Sequence, residues 1–231
     1  MYFNIKRIVK PDKKLLQEKA DKISELLKNR EEKIIEKHEL KQKLNEKESK
    51  KIAEILKRVD INFSKGYIDT AKSLIIEGLA IDKYNKDLNL SLAKIYENEK
   101  EYTKGEYIYI DLLKAYKDNF EILKKLGFNL ALQKKFNESI NVFIEAYNKR
   151  KNDNDVLEIL ADLTYEMKYY KKSLKFIKLY LKQFPRNTEK LKMKGYCLEL
   201  LGQTEEAIET YKRVLDLQPY NTKVLEKLKH L

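Results

Sequence analysis

The chain repeats every 34 residues without a single insertion, and that period confines it to architectures made by stacking one short unit. In the stretch GYCLELLGQTEEAIETYKRVLDLQP, small residues stand at Gly195 and Ala207, an aromatic at Tyr211 and a proline at Pro219. Moving back in steps of 34 turns Gly195 into Ala161, Gly127, Ala93 and Val59. Ala207 becomes Ser173, Ser139, Gly105 and Ala71, while Tyr211 becomes Ile177, Phe143, Tyr109 and Ile75. Pro219 becomes Pro185, and the earlier copies carry Lys151, Lys117 and Lys83. Five units therefore run 52–85, 86–119, 120–153, 154–187 and 188–221.

Within each half-unit the apolar residues fall at helical spacing, as in Leu123, Leu126 and Leu130, then Phe136, Ile140, Phe143 and Tyr147. Small residues suit the point where two antiparallel helices cross, because a bulky side chain would hold the backbones apart. The aromatic fills the space beside that crossing. Proline at the unit boundary cannot continue the preceding helix. Each unit is then a helical hairpin unable to bury its apolar face alone, so neighbours must stack. The expected fold is all α, with ten helices between 52 and 221 and one more after them.

These residues give the chain its resemblance to the tetratricopeptide repeat family. Leu191, Gly195, Leu198, Gly202, Ala207, Tyr211 and Pro219 carry the pattern in the last unit, and Leu157, Leu160, Ala161, Tyr170, Ile177 and Pro185 in the fourth. The first unit departs most, with Arg58 and Val59 where a leucine and a small residue are usual. The resemblance implies a right-handed superhelical solenoid whose first helices line a concave groove for protein partners. Some members hold a partner's terminal carboxylate with Lys and Asn at the fifth and ninth positions of one unit. Here those positions hold Leu56 and Asp60 in unit one and Lys124 and Phe128 in unit three, so that clamp is not expected.

Composition narrows the function. Hydrophobic residues make up 42% of the chain, enough for a core, and three prolines with six glycines leave little for a many-turned β fold. No apolar run is long enough to span a bilayer, and the start lacks a signal-peptide pattern. A lone Cys197 cannot form an internal disulfide, which fits a reducing compartment, and a cytoplasmic location is expected. The apolar start followed by Lys6, Arg7, Lys10, Lys13 and Lys14 would also suit the cytoplasmic side of a membrane anchor. Net charge is +12, yet only six of the 49 basic residues are arginine, the side chain favoured for bidentate phosphate and base recognition. His38 and His230 read as solvated, Cys197 as a small buried residue, and no Cys/His spacing suits a metal. No glycine-rich phosphate loop exists. The chain is not expected to be an enzyme, nor to use a cofactor, a metal or a small-molecule substrate.

Outside the repeats, residues 222–231 keep the phase through Val224, Leu225, Leu228 and Leu231 and read as a capping helix. Residues 1–51 form a charged, partly amphipathic helical segment in which Leu16, Ala20, Ile23 and Leu27 mark one stripe. That segment carries sixteen basic and ten acidic residues. Residues 12–30 are expected either to pack on the solenoid, their own or a neighbour's, or to extend as a solvated helix.

By the family's groove positions (the second, fifth, ninth, twelfth and thirteenth of each unit), ten acidic residues and three lysines line the groove. The candidate contacts are Lys124, Phe128, Asp155, Glu158, Asp162, Tyr165, Glu166, Lys192, Tyr196 and Glu199. Aromatic anchors among carboxylates fit a basic or mixed basic–apolar protein segment. On the other face, Lys168, Lys171, Lys175, Lys178 and Lys182 recur at helical spacing on the second helix of unit four. Two alternatives follow: a peripheral binder of an anionic membrane or RNA through that stripe and the basic N-terminus, or a self-associating array of repeats.

Overall fold

The computed structural model describes residues 46–231, which form eleven helices and no strand. The helices pair as hairpins: α1 (Glu46–Ser64) with α2 (Ile68–Ile81), α3 (Lys86–Asn98) with α4 (Tyr102–Ala115), and α5 (Phe120–Leu132) with α6 (Phe136–Lys149). Next come α7 (Asn154–Glu166) with α8 (Tyr170–Gln183), α9 (Thr188–Leu200) with α10 (Thr204–Leu217), and a single α11 (Thr222–Lys229). The protein is a helical-hairpin solenoid. What was expected of residues 1–45, including any packing of residues 12–30, lies outside the described residues.

Local chemistry starts and stops each hairpin at the same phase. Asn85, Asn119, Asp153, Asn187 and Asn221 each accept a hydrogen bond from the backbone N–H three residues on, capping α3, α5, α7, α9 and α11. The equivalent residue before unit one is Lys51, which has no oxygen to cap with. The helix α1 accordingly runs through the unit boundary at 52 without a cap there. At the other end, the first helix of every hairpin closes on a left-handed residue: Gly66, Lys100, Lys134, Lys168 and Gly202. There the N–H groups of Gly202 and Gln203 reach back to the carbonyls of Glu199 and Leu198 at 3.0 and 2.9 Å, which satisfies the helix end.

The small residues sit where the helices of a hairpin touch. A Cβ on Gly127 would lie 2.9 Å from the Phe143 ring, and one on Gly195 would strike Tyr211. Ser139 donates to the Gly127 carbonyl at 2.7 Å and Ser173 to that of Ala161 at 2.9 Å, so these small polar residues are buried but satisfied. Around these crossings Tyr109, Phe143, Leu157, Leu160 and Ile177 are fully buried, each burial contributing roughly 1.5–3 kcal/mol. A continuous apolar core runs from Ile140 and Phe143 through Leu160 and Tyr211 to Val224 on α11. A second joins Ala93, Tyr109 and Leu112 to Leu126 and Leu130.

The irregular first unit packs as well. Ile52, Ile55 and Val59 are buried, with Ile55 against the Gly78 position, whereas Arg58 stays exposed on the outer side of α1. A polar seam links hairpins two and three. Glu97 accepts from Tyr109 at 3.1 Å and from buried Asn129 at 3.0 Å, and Asn129 in turn accepts from Gln133 at 2.9 Å. Glu106 completes it, taking bonds from Gln133 at 2.7 Å and Lys135 at 2.6 Å.

Candidate functional site: the groove of the first helices

The five assigned positions fall on one face of each first helix, and their exposure repeats from hairpin to hairpin. Residues at the second and thirteenth positions are exposed in every unit, for example Asp155, Glu166, Glu189 and Leu200. Those at the fifth and twelfth are half-buried in every unit, for example Lys124, Glu158, Tyr165 and Glu199. Each first helix therefore presents a half-buried edge and an exposed edge in the same register across α1, α3, α5, α7 and α9. Contacts across hairpins join these helices: Lys94 lies 5.0 Å from the centre of the Phe63 ring, and Tyr165 meets Tyr196 at 5.9 Å.

The apolar lining is concentrated on α5, α7 and α9. Phe128 is 44% exposed while resting edge-on against Phe143, with ring centres 5.2 Å apart. Leu132 and Leu200, absent from the sequence-derived contacts, are 52% and 45% exposed. Tyr165 also packs on Tyr170, and its hydroxyl is pushed up to about 12, by burial first and then by neighbours that include Tyr196. It stays protonated at neutral pH and can donate a hydrogen bond.

Most of the groove carboxylates already have partners. Lys124 reaches Asp155 at 2.8 Å and Asp153 at 3.4 Å, and Lys86 reaches Glu121 at 3.1 Å. Lys190 bridges Asp162 and, at 3.2 Å, Glu158. Lys192 pairs with Glu189 on its own helix, and Lys227 of α11 reaches Glu199 at 2.7 Å with its ammonium 4.8 Å from the centre of the Tyr196 ring. With Glu97 held by Tyr109 and Asn129, seven of the ten acids are engaged. Asp60, Asp87 and Glu166 have no ion-pair partner among the described residues.

Lys86, Lys190 and Lys227 lie outside the assigned groove positions, so counting those positions alone overstated the groove's free negative charge. Lys190 left a readable signal. It takes the third position of its unit, where Leu88, Ile122, Val156 and Val224 are all buried, and it is itself only 5% exposed. A lysine at a core position needs a counter-charge, and Glu158 and Asp162 supply it.

On the opposite face Lys171, Lys175, Lys178 and Lys182 are all exposed along α8. Lys168 lies just before the helix, in the left-handed turn with φ of 59°. Among the described residues no group of His, Cys, Asp and Glu is arranged to hold a metal. Nor is any described helix long and apolar enough to cross a membrane.

No family model and no curated protein matches the sequence. Solved structures do match. YrrB, described as a TPR protein with an unusual peptide-binding site, aligns over 76% of this chain and 90% of its own at 15% identity, with a TM-score of 0.61. MamA aligns over 76% of this chain and 96% of its own at 17% identity, with a TM-score of 0.63. A fragment of MamA from Desulfovibrio magneticus RS-1 aligns over 63% and 83% at 18% identity, with a TM-score of 0.53. At such identities the likeness is one of fold, and the shared fold is the tetratricopeptide solenoid.

Proposed function

We propose that this chain, a helical-hairpin solenoid of the tetratricopeptide type, is a non-enzymatic scaffold that holds a segment of a protein partner along its first helices. The observation that carries this reading is the open apolar strip of Phe128, Leu132, Tyr165, Tyr196 and Leu200 on α5, α7 and α9. Exposed aromatic and aliphatic side chains on a rigid frame are what an apolar segment needs for anchoring. YrrB's described peptide-binding site is a precedent for peptide recognition on this fold.

The ion pairs refine the partner's chemistry. With seven groove acids engaged internally, apolar anchors supply most of the affinity, and one or two cations on the partner would find Glu166 and Asp87. A mixed basic–apolar segment fits this lining better than a highly basic one. Leu132→Lys with Glu166→Lys alters two exposed residues and breaks no ion pair of the fold. Capture of the partner from a lysate of the source cell should be lost in this double variant while its melting temperature stays unchanged. Undiminished capture would remove the groove from consideration.

A further inference from the structure

Along the hairpin contacts of this chain, lysines meet carboxylates of a neighbouring hairpin. Lys86 reaches Glu121 at 3.1 Å, Lys124 reaches Asp155 at 2.8 Å, Lys135 reaches Glu106 at 2.6 Å and Lys227 reaches Glu199 at 2.7 Å. Helix α8 departs from this pattern. Lys171, Lys175, Lys178 and Lys182 follow one another at four, three and four residues, which places them on one face over a rise of about 16 Å. All are exposed, and only Lys178 meets a carboxylate, Glu206 at 3.5 Å. Lys171, Lys175 and Lys182 have no acidic partner among the described residues.

Neighbouring groups lengthen the positive strip. Lys194 of α9 has its pKa lowered, by burial first and then by Lys178, so positive charge is crowded there. At the far end of α8 Arg186 is exposed, and Arg213 is held beside it by a 2.9 Å bond to the Pro185 carbonyl.

The strip is centred on α8, with Lys194 and Arg213 at its margin. Tyr147 of α6 meets Phe176 of α8 at 6.4 Å, and Lys178 meets Glu206 of α10, so α6 and α10 flank α8 directly. Their exposed charges are Glu138, Glu145 and Lys149 on one side and Glu205, Glu206, Glu209, Lys212, Arg213 and Asp216 on the other, net negative on both. A bilayer or a nucleic-acid duplex spreads its charge across several helices and would meet these negative shoulders. A single acidic helix would not. Its glutamates at four-residue spacing stand about 6 Å apart, matching Lys171 to Lys175 and Lys178 to Lys182. Lysine ammonium groups are flexible point charges that a row of carboxylates can meet one by one.

We infer that the outward face of α8 is a second docking surface, separate from the groove, for an acidic helical segment of a protein. The test uses the full chain and a labelled peptide with Glu at four-residue spacing in an Ala background, followed by fluorescence anisotropy at low salt. Lys171→Gln with Lys175→Gln and Lys182→Gln should weaken binding about tenfold or more. Lys65→Gln with Lys117→Gln and Lys223→Gln removes the same charge from exposed sites elsewhere and should weaken it less than about twofold. Adding salt should dissociate the complex, and the groove variant Leu132→Lys with Glu166→Lys should bind the peptide normally. Equal losses in the two triple variants would reduce the effect to net charge and overturn the inference. So would tighter binding of phosphatidylserine vesicles or single-stranded RNA that depends on the α8 lysines, or no peptide binding at all.

Discussion

Tyr211 donates its hydroxyl to Glu199 at 3.0 Å, and three repeats upstream Tyr109 makes the same bond to Glu97 at 3.1 Å. The two members occupy the twenty-fourth and twelfth positions of their units, and the other units keep the match by shape instead of charge. Phe143 is paired in sequence with Ala131, and the smaller Ile75 and Ile177 with the aromatics Phe63 and Tyr165. A tyrosine at the hairpin crossing thus comes with a carboxylate, because a buried hydroxyl without a partner is costly. Glu199→Ala should cost about 1–3 kcal/mol for that reason. Tyr211→Phe, which removes the hydroxyl itself and leaves Glu199 on Lys227, should cost no more than about 1 kcal/mol. Denaturant melts of the two variants check the order.

The same pairs give stability a pH dependence. Both hydroxyls are held above the ordinary tyrosine value of 10.0, by burial first and by their carboxylates in addition. A group whose pKa is raised on folding favours the protonated form, so its contribution is full below pH 10 and falls as pH rises beyond it. Melting temperature should therefore decline above about pH 10, and the fall should be shallower in Tyr109→Phe with Tyr211→Phe. An unchanged slope in the double variant would exclude these two tyrosines as the cause.

Gly127 lies against a ring that has nowhere to retreat. Replacing it with leucine should separate α5 from α6 and cost roughly 1–3 kcal/mol through overpacking. Thermal unfolding measures it, and an unshifted midpoint would contradict the tight crossing of Gly127 with Phe143.

The left-handed closures of the first helices offer two substitutions with opposite signs. Gly202, at φ of 72°, should lose about 1 kcal/mol on conversion to alanine. Lys134, at φ of 61°, already carries that strain, so Lys134→Gly should leave stability unchanged or raise it by up to about 1 kcal/mol. A destabilised Lys134→Gly would mean that its side chain holds something the turn geometry does not reveal.

Much of the fold was readable because each packing contact recurs with the period: small residues at Gly127, Ala161 and Gly195, and the aromatic or branched residue opposite. The capping residues Asn85, Asn119, Asp153, Asn187 and Asn221 were equally periodic, and Lys51, which takes their place before unit one, lies inside α1. The groove was readable only in outline. Its face follows from helical phase, but its charge depends on lysines such as Lys190 and Lys227, about 28 residues from their partners. Their reach is set by how adjacent hairpins tilt. Leu132 and Leu200 stood at the thirteenth groove position, but the candidate contacts favoured charged and aromatic side chains, and the exposure of the two leucines is what adds them.

Photo-crosslinking tests the central claim most directly. A benzophenone side chain placed at Leu132 or Leu200 probes the groove, and one at Tyr107 or Ile110, exposed on α4, probes the outer face. The expected result is that the partner lost from the Leu132→Lys, Glu166→Lys variant crosslinks from positions 132 and 200 and not from 107 or 110. Crosslinks from α4 alone, or equal yields from all four positions, would contradict binding along the first helices.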